Sequence, residues 1–302
     1  MGAIVNRAKP YQALSAQSSY KSGLAMDRRL SFFPAMKLFL LTLSVACALV
    51  AATPANRTSL LPQVTISETP EGRIVLGYPA PEGKAPYIVG LLIRTDGSNG
   101  AAVGAGTIIA NNWVLTAAHC LTTDSVDIHY GSNWGWNGAF SHNVRRDNFI
   151  SHPDWPSQAG KDIGLIRTPH VDFNNLVNKI PLPSFSEENE RFQDTWCVAC
   201  GWGGMDNGDL ADWLQCIDVQ IISNSECESA YGSVSGNDMC TRQSDGRSVC
   251  GGDSGGPLVT HDNARLVGVI TFASVGCHNG PSGYTRVTDY LGWIRDHTGI
   301  SY

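Results

Sequence analysis

Short apolar runs separated by turn-forming residues dominate the chain. Runs rich in Val, Ile, Leu, Trp and Tyr recur between clusters of Gly, Pro, Asn and Asp, whereas long stretches with a 3.6-residue period are scarce. Such runs are typical of β-strands, and the turn-forming clusters mark the connections between them. The pattern predicts an all-β protein, and a composition with 42% hydrophobic residues and 32 glycines agrees with a β-rich globular chain.

One serine lies in a glycine-rich bend, Gly252–Pro257. A serine hydroxyl is a weak nucleophile at its own pKa, so catalysis requires a base for its proton and donors for the oxyanion that forms. Glycines permit unusual backbone conformations and let N–H groups, here those of Gly252 and Ser254, come close to a substrate carbonyl. A tight surface turn explains the same residues, because Gly-Asp and Ser-Gly pairs are common in turns.

Candidates for the base and its orienting acid lie upstream. His119 follows the apolar run Trp113–Leu115, and histidine is the usual base because its ordinary pKa of about 6.5 allows both protonation states near pH 7. Asp162 opens the apolar run Ile163–Ile166, where a carboxylate could hold the N–H tautomer of His119 and stabilise the imidazolium. Taken singly, the first residue is better explained as a buried core histidine, and the alternative for the second is a turn residue at a strand edge.

Taken together, the three motifs resemble those of chymotrypsin-fold serine proteases, in which the same roles occur in the order His, Asp, Ser. The resemblance runs from about Arg73 to the C-terminus, and it looks closest to the Jonah-type group of insect gut proteases. The further segments that carry the resemblance are Gly201–Gly203 and Val287–Ile294 for the family, and 163–173 and 257–261 for the group.

The resemblance implies two six-stranded antiparallel β-barrels with the active site between them. The first barrel would carry His119 and Asp162 and the second Ser254, with a boundary near residues 185–195 and a short helix near residues 288–297. It also implies that the Gly252 and Ser254 amides form the oxyanion hole.

A different class of enzyme shares part of the serine motif. Gly252–Gly256 also matches the G-x-S-x-G nucleophile elbow of α/β-hydrolases, in which the serine opens a helix and the acid and histidine follow it. Here Pro257 and the run Leu258–Thr260 favour a strand after the serine, and the best histidine and aspartate contexts precede it. The histidines downstream of the serine have no comparable setting: His261, His278 and His297. The sequence therefore favours the protease.

The N-terminal region has the organisation of a precursor. Residues 1–35 form an extension without a pattern, and Met36, a candidate start, precedes Lys37 and an apolar run to Ala52 that is typical of a secretory signal peptide over 36–52. The run is short for a membrane span, which disfavours the alternative of a membrane-anchored protease. Residues 53–73 would then be a propeptide and residues 74–302 the protease domain.

The junction Arg73–Ile74 resembles the activation site of the family's zymogens. Cleavage after Arg73 by an activating protease would free the Ile74 amine, which in the family pairs with the acid before the nucleophile, here Asp253, and orders the oxyanion site. A buried ion pair suits a switch because its desolvation is offset only when both partners are present. An accidental basic site in a loop is the alternative.

The net charge of the predicted protease domain limits which partners it could bind. Removal of residues 1–73 would leave 13 Lys and Arg against 24 Asp and Glu, a formal charge of −11 compared with −6 for the whole chain. Such an acidic body is a poor candidate for nucleic-acid binding. We expect a secreted monomer that has no membrane attachment once the signal is removed. The resemblance implies secretion into a gut lumen. The expected partners are peptide or protein substrates and the activating protease.

Substrate preference follows from positions that the resemblance assigns to the specificity pocket. Ser248 would form its base, and the absence of an acid there argues against cleavage after Lys or Arg. Ala273 and Ser282 stand where wide-pocketed relatives carry glycine, so we expect small to medium apolar side chains such as Leu, Met, Ala or Phe. Thr271 and Phe272 replace the usual serine and tryptophan of the strand that pairs with the substrate backbone.

Of the nine cysteines, Cys47 lies in the predicted signal peptide. The resemblance pairs Cys227 with Cys240 and Cys250 with Cys277. It leaves the other four without their usual partners, because Gly104 stands in place of the partner of Cys120 and Thr260 in place of the partner of Cys197. The remaining two, Cys200 and Cys216, are expected on adjacent strands, so we hypothesise a bridge between them and a free thiol at Cys120.

No cofactor or metal is expected, because the histidines are scattered and Cys197-x-x-Cys200 has no second pair at zinc spacing. Two function classes remain. The first is a secreted serine endopeptidase with a digestive role, made as a zymogen and working through an acyl-enzyme with a preference for apolar residues before the scissile bond. The second is a catalytically weak or inactive homologue that acts as a binding or regulatory protein. The presence of all three candidate side chains favours the enzyme.

Overall fold

The computed structural model describes residues 77–302 except 206, 244, 245 and 279. All of these residues belong to one unit, Val64–Tyr302. The predicted N-terminal extension, signal peptide and propeptide lie outside the described residues, and so does the Arg73–Ile74 junction.

The described residues form fourteen strands and two α-helices. The strands are β1 (Tyr78–Pro79), β2 (Ile88–Arg94), β3 (Ala102–Ala110), β4 (Trp113–Thr116), β5 (Ser125–Tyr130), β6 (Phe140–Arg145), β7 (Phe149–Ser151), β8 (Gly164–Arg167), β9 (Trp196–Gly201), β10 (Gln215–Ile222), β11 (Asp238–Thr241), β12 (Pro257–Thr260), β13 (Leu266–Phe272) and β14 (Ser282–Arg286). The helices are α1 (Asn224–Tyr231) and α2 (Leu291–Thr298).

The N-terminal barrel is an antiparallel sheet with the strand order β6-β5-β2-β3-β4-β8-β7. Its inward side chains form an apolar core that includes Leu91, Ile108 and Ile128, all buried. Within the described residues no pairing joins β6 to β7, so this barrel has seven strands and stays open. The open edge at β6 carries Ser141 and Asn143, exposed polar residues of the kind that keep a sheet edge from pairing with other chains.

The C-terminal barrel closes on itself, because β9 pairs with both β10 and β12 in the order β9-β10-β11-β14-β13-β12. β1 pairs with the edge of β10 in addition. Helix α2 follows a 3-10 turn at Val287–Tyr290 and ends at Thr298, just before Gly299, whose left-handed conformation is a common helix terminator. The predicted all-β fold of two antiparallel barrels with a C-terminal helix is confirmed, and the open seven-stranded N-terminal barrel is the difference from two closed six-stranded ones.

Three disulfides lie in the C-terminal barrel and its loops: Cys200–Cys216, Cys227–Cys240 and Cys250–Cys277. Cys200 and Cys216 are directly opposite each other on β9 and β10, with their Cα atoms 4.1 Å apart, so the hypothesis of this bridge is confirmed. Cys120 and Cys197 are free and buried. Cys197 lies opposite Thr260 in the pairing of β9 with β12.

Neither helix of the described residues is long and apolar enough to cross a membrane.

Candidate active site

The strand register brings His119 and Asp162 to the same edge of the N-terminal barrel. Thr116 at the end of β4 pairs with Gly164 at the start of β8, so the residues just beyond these two strand ends are neighbours. The Asp162 Oδ2 lies 2.6 Å from the His119 Nδ1, and the Asp162 Oδ1 accepts the His119 backbone N–H at 2.9 Å. Because Nδ1 faces the carboxylate, the second ring nitrogen, Nε2, is left to face another partner.

The surroundings of His119 change its basicity in opposite directions. Burial lowers the pKa of the imidazole, but the hydrogen bond and the negative charge of Asp162, together with a contact to Cys120, raise it by more. The net effect is a pKa above the ordinary value of a histidine. A partly exposed imidazole with this pKa is a stronger proton acceptor than a free one.

Ser254 lies in the bend that precedes β12, and a strand rather than a helix follows it, as the sequence predicted. Gly252 has a φ of 100° and Gly255 a φ of 83°, both in the region that favours glycine. A Cβ on Gly255 would also lie 2.1 Å from the Thr116 Oγ1, so the bend accepts no larger residue there.

A cleft of about 580 Å³ is lined by two of the three predicted groups, His119 and Ser254, whereas Asp162 contacts His119 and does not line the cleft. Cys120 and Val103 are among the other residues that line it. The Gly252 and Ser254 N–H groups donate no hydrogen bond to the described residues, so both are free to bind an oxygen that forms beside the serine.

Asp253 is completely buried and does not line the cleft. Its carboxylate accepts the Gly203 N–H at 2.7 Å and the Cys250 N–H at 2.8 Å. Burial raises the pKa of this carboxyl to about 6, against the lowering effect of the two N–H groups. No cationic side chain of the described residues pairs with it. The close fit explains the glycines of the motif around Trp202, because a Cβ on Gly203 would lie 2.5 Å from the Asp253 Cγ.

Ser248 and Ser282 form a hydrogen-bonded pair that is almost inaccessible to solvent. The Ser248 hydroxyl donates to the Val249 carbonyl at 2.9 Å, and the two serine Oγ atoms lie 3.1 Å apart. The Ser282 Oγ also accepts the Val249 N–H at 3.3 Å. With the Ser248 proton used in this way, the Ser282 hydroxyl donates to the Ser248 Oγ, so both hydroxyl protons have acceptors within the protein.

The three neighbouring residues that the sequence assigned to substrate binding lie at the end of β13, which Thr271 and Phe272 close, and just beyond it, where Ala273 follows. The Thr271 hydroxyl donates to the Gly283 carbonyl at 3.3 Å. The Phe272 ring lies over Gly283, where a Cβ would be 2.1 Å from a ring carbon, and meets Tyr231 edge to face at 5.3 Å. Ala273 is half-buried beside the apolar core of the C-terminal barrel. Gly283 was missed from sequence, although a glycine inside a strand often marks such a close approach.

Two further contacts of Ser254 carry no signal in the sequence. The Ser254 carbonyl oxygen accepts the Ala105 N–H at 2.8 Å and a bond from the Cys120 Sγ at 3.6 Å. Both donors come from the N-terminal barrel, whereas Ser254 belongs to the C-terminal one.

Comparison with known proteins decides the family. The model of the Trypsin family matches residues 74–294. The chain belongs to the trypsin family. This confirms the predicted resemblance and excludes the α/β-hydrolase alternative, and the trypsin-family chain is a serine endopeptidase.

Several relatives of this trypsin-family chain are insect enzymes. It is 52% identical over 237 residues to serine protease 1 of Drosophila melanogaster, covering 77% of this chain and 88% of the relative. It is 38% identical to a collagenase of Hypoderma lineatum, covering 79% of this chain and 92% of the relative. A solved structure of HL collagenase is similar with a TM-score of 0.70 and 37% identity, and the match covers 76% of this chain and all of that one. The Jonah-type group stays a prediction.

Proposed function

We propose that this enzyme is a secreted serine endopeptidase in which His119, Asp162 and Ser254 form the catalytic triad. The observation that carries the proposal is the His119–Asp162 pair, joined at 2.6 Å, beside a cleft that Ser254 also lines. Asp162 holds the imidazole with Nε2 available as the base and stabilises the imidazolium once it forms.

The reaction proceeds through an acyl-enzyme. The Ser254 Oγ attacks the scissile carbonyl carbon while His119 takes the hydroxyl proton, and the Gly252 and Ser254 N–H groups bind the oxyanion. The imidazolium then gives its proton to the departing amine, and the C–N bond breaks. Water attacks the ester with His119 again as base, which releases the acid and restores the serine.

The proposed preference is for small to medium apolar side chains before the scissile bond. In this proposal Ser248 and Ser282 lie at the base of the specificity pocket, where no charge can pair with a substrate Lys or Arg. The hydroxyl protons of both serines already have acceptors within the protein. An apolar substrate group therefore leaves no donor unpaired. The Cβ atoms of Ala273 and Ser282 narrow the walls, and we expect a broad profile because such pockets discriminate by about 1 to 3 kcal/mol per methylene.

Asp253 supports synthesis as a zymogen. A fully buried carboxylate without a cation among the described residues is a ready acceptor for the ammonium that cleavage after Arg73 would create at Ile74. The remaining proposals are secretion directed by residues 36–52, a digestive role in a gut lumen, and a monomeric enzyme that acts on peptide and protein substrates.

The test uses the proenzyme without its predicted signal peptide, residues 53–302. A trypsin-like protease cleaves it after Arg73 and is then removed. We expect a fluorophosphonate probe to label the cleaved enzyme at Ser254 and the uncleaved form far more slowly, with Ser254→Ala as the unlabelled control. Peptides that vary only before the scissile bond should be cut best after Leu, Met, Ala or Phe. An unlabelled cleaved enzyme would support the binding-protein alternative, and a preference for Arg or Lys would overturn the proposed pocket.

A further inference from the structure

The peptide unit between Ser254 and Gly255 is hydrogen-bonded to both barrels. Its carbonyl oxygen accepts the Ala105 N–H at 2.8 Å and, at 3.6 Å, a bond from the Cys120 Sγ. Its N–H donates to the Ile270 carbonyl at 2.8 Å. Since Ala105 and Cys120 belong to the N-terminal barrel and Ile270 to the C-terminal one, this plane is held from both sides.

Cys120 directly follows His119 in a single 3-10 turn, Ala118–Leu121. The thiol therefore connects the turn that carries the proposed base to the backbone of the proposed nucleophile. A bond to the Ser254 carbonyl restricts rotation of the Ser254 backbone, which in turn fixes where its Cβ and Oγ lie relative to the imidazole.

Cys120 can donate because its sulfur is not part of a disulfide. A sulfur in a disulfide has no hydrogen to donate, and Cys120 is free because Gly104 faces it. A Cβ on Gly104 would lie 3.3 Å from the Cys120 Sγ. The Cys120 side chain is almost fully buried, so little water reaches the thiol.

We propose that the Cys120 thiol is a positioning residue for Ser254, which holds the serine in the orientation from which His119 takes its proton. The inference rests on the proposed role of Ser254 as nucleophile. The thiol is a weak donor, but small displacements of reacting groups lower rates strongly. Because the bond is to the enzyme's own backbone, its loss lowers kcat and leaves KM nearly unchanged.

The test compares three variants of the cleaved enzyme. Cys120→Val has a similar volume and no donor, Cys120→Ser keeps a donor with a shorter reach, and Cys197→Val removes the other buried free thiol of the described residues. We expect kcat of Cys120→Val to fall roughly 3- to 10-fold, the range that one hydrogen bond of ordinary strength supports. KM should stay within about twofold, Cys120→Ser should be intermediate, and Cys197→Val should keep the wild-type kcat.

The rate of fluorophosphonate labelling should follow kcat in each variant. Equal kcat in wild type and Cys120→Val, or an equal loss in Cys197→Val, would overturn the inference. Should Cys120→Val fail to fold, the S–H stretching band of Cys197→Val provides the test. The mature domain of this variant has Cys120 as its remaining thiol, because its other cysteines are in disulfides. A band at the lower frequency of a hydrogen-bonded thiol supports the inference and a free-thiol band overturns it. Wild-type enzyme that is not labelled overturns the proposed function as well, whereas a labelled enzyme indifferent to Cys120 overturns this inference alone.

Discussion

Gly104 on β3 faces the Cys120 thiol so closely that a Cβ on Gly104 would lie 3.3 Å from the sulfur. We expect Gly104→Cys to form a disulfide with Cys120, since this separation is near that of bonded cystines. Closing a loop of about 15 residues should stabilise the fold by about 3 kcal/mol, less any strain from the 3.1 Å approach of the new Cβ to the Ser254 carbonyl. Denaturant unfolding with and without reductant measures the gain.

The same variant also removes the Cys120 proton. Its kcat should therefore fall towards that of Cys120→Val while its stability rises, and reductant should reverse both changes. Gly104→Ala introduces the Cβ without the bridge and serves as the control. Peptide mapping that finds both cysteines alkylated without reduction would contradict the prediction.

Asp162→Asn should change the pH dependence of catalysis as well as its rate. Because the pKa of His119 is raised, the base is protonated below that pKa, and kcat/KM should rise with pH through an inflection above about 6.5. Removal of the carboxylate leaves the lowering effect of burial, so the inflection should move down. The neutral-pH kcat should fall by about 10⁴-fold, because the amide favours the wrong tautomer.

The measurement is kcat/KM as a function of pH for both enzymes, at constant ionic strength. An inflection at or below 6.5 in the wild type, or one that Asp162→Asn leaves in place, would show that Asp162 does not set the basicity of His119.

Ser282→Gly tests which side chains the pocket accepts. The substitution removes a Cβ from the pocket wall, so kcat/KM for Tyr relative to Leu before the scissile bond should rise about tenfold or more. Ser282→Ala keeps the Cβ and removes only the hydroxyl, so it should leave that ratio almost unchanged. If the two variants behave alike, the hydroxyl and not the wall limits the substrate.

The sequence was sufficient where a residue's type and its position relative to a strand indicate what it contacts. The sequence could predict His119, Asp162 and Ser254 because each stands near the end or start of a recognisable strand. The predicted Cys200–Cys216 bridge is confirmed, since neighbouring strands place the two residues opposite one another. The contact of Cys120 with Ser254 could not be found, since it joins residues 134 positions apart and depends on how two barrels meet. The open edge of the N-terminal barrel likewise depends on which strands pair, and an apolar run carries no information on its partner.

Asp253 should make the uncleaved proenzyme less stable as pH rises. Its pKa of about 6 in the fold exceeds that of an ordinary aspartate, so the folded state binds more protons than the unfolded state between roughly pH 4 and pH 6. The contribution of this proton to the free energy of unfolding is therefore complete below this window. It is lost as pH rises through the window, which lowers the free energy of unfolding by on the order of 2 to 3 kcal/mol. The melting temperature of the uncleavable variant Arg73→Gln, measured against pH, checks this.

Two comparisons isolate the cause. Asp253→Asn in the same proenzyme should abolish the fall across the window, and cleaved enzyme should also lack it if the Ile74 ammonium pairs with Asp253. Identical profiles for all three proteins would mean that another group titrates.

Gly255→Ala should damage the site more than a neighbouring glycine substitution does. The φ of 83° costs an alanine about 1 to 2 kcal/mol, and its Cβ would lie 2.3 Å from the Ala105 carbonyl oxygen, a backbone atom that moves only with β3. Gly251→Ala is the matched control, because a Cβ there meets no described atom within 4 Å. We expect Gly251→Ala to have the free energy of unfolding and the fluorophosphonate reactivity of the wild type. Gly255→Ala should lose several kcal/mol of stability and most of its labelling, because the clash pushes apart the two barrels that hold the Ser254 peptide.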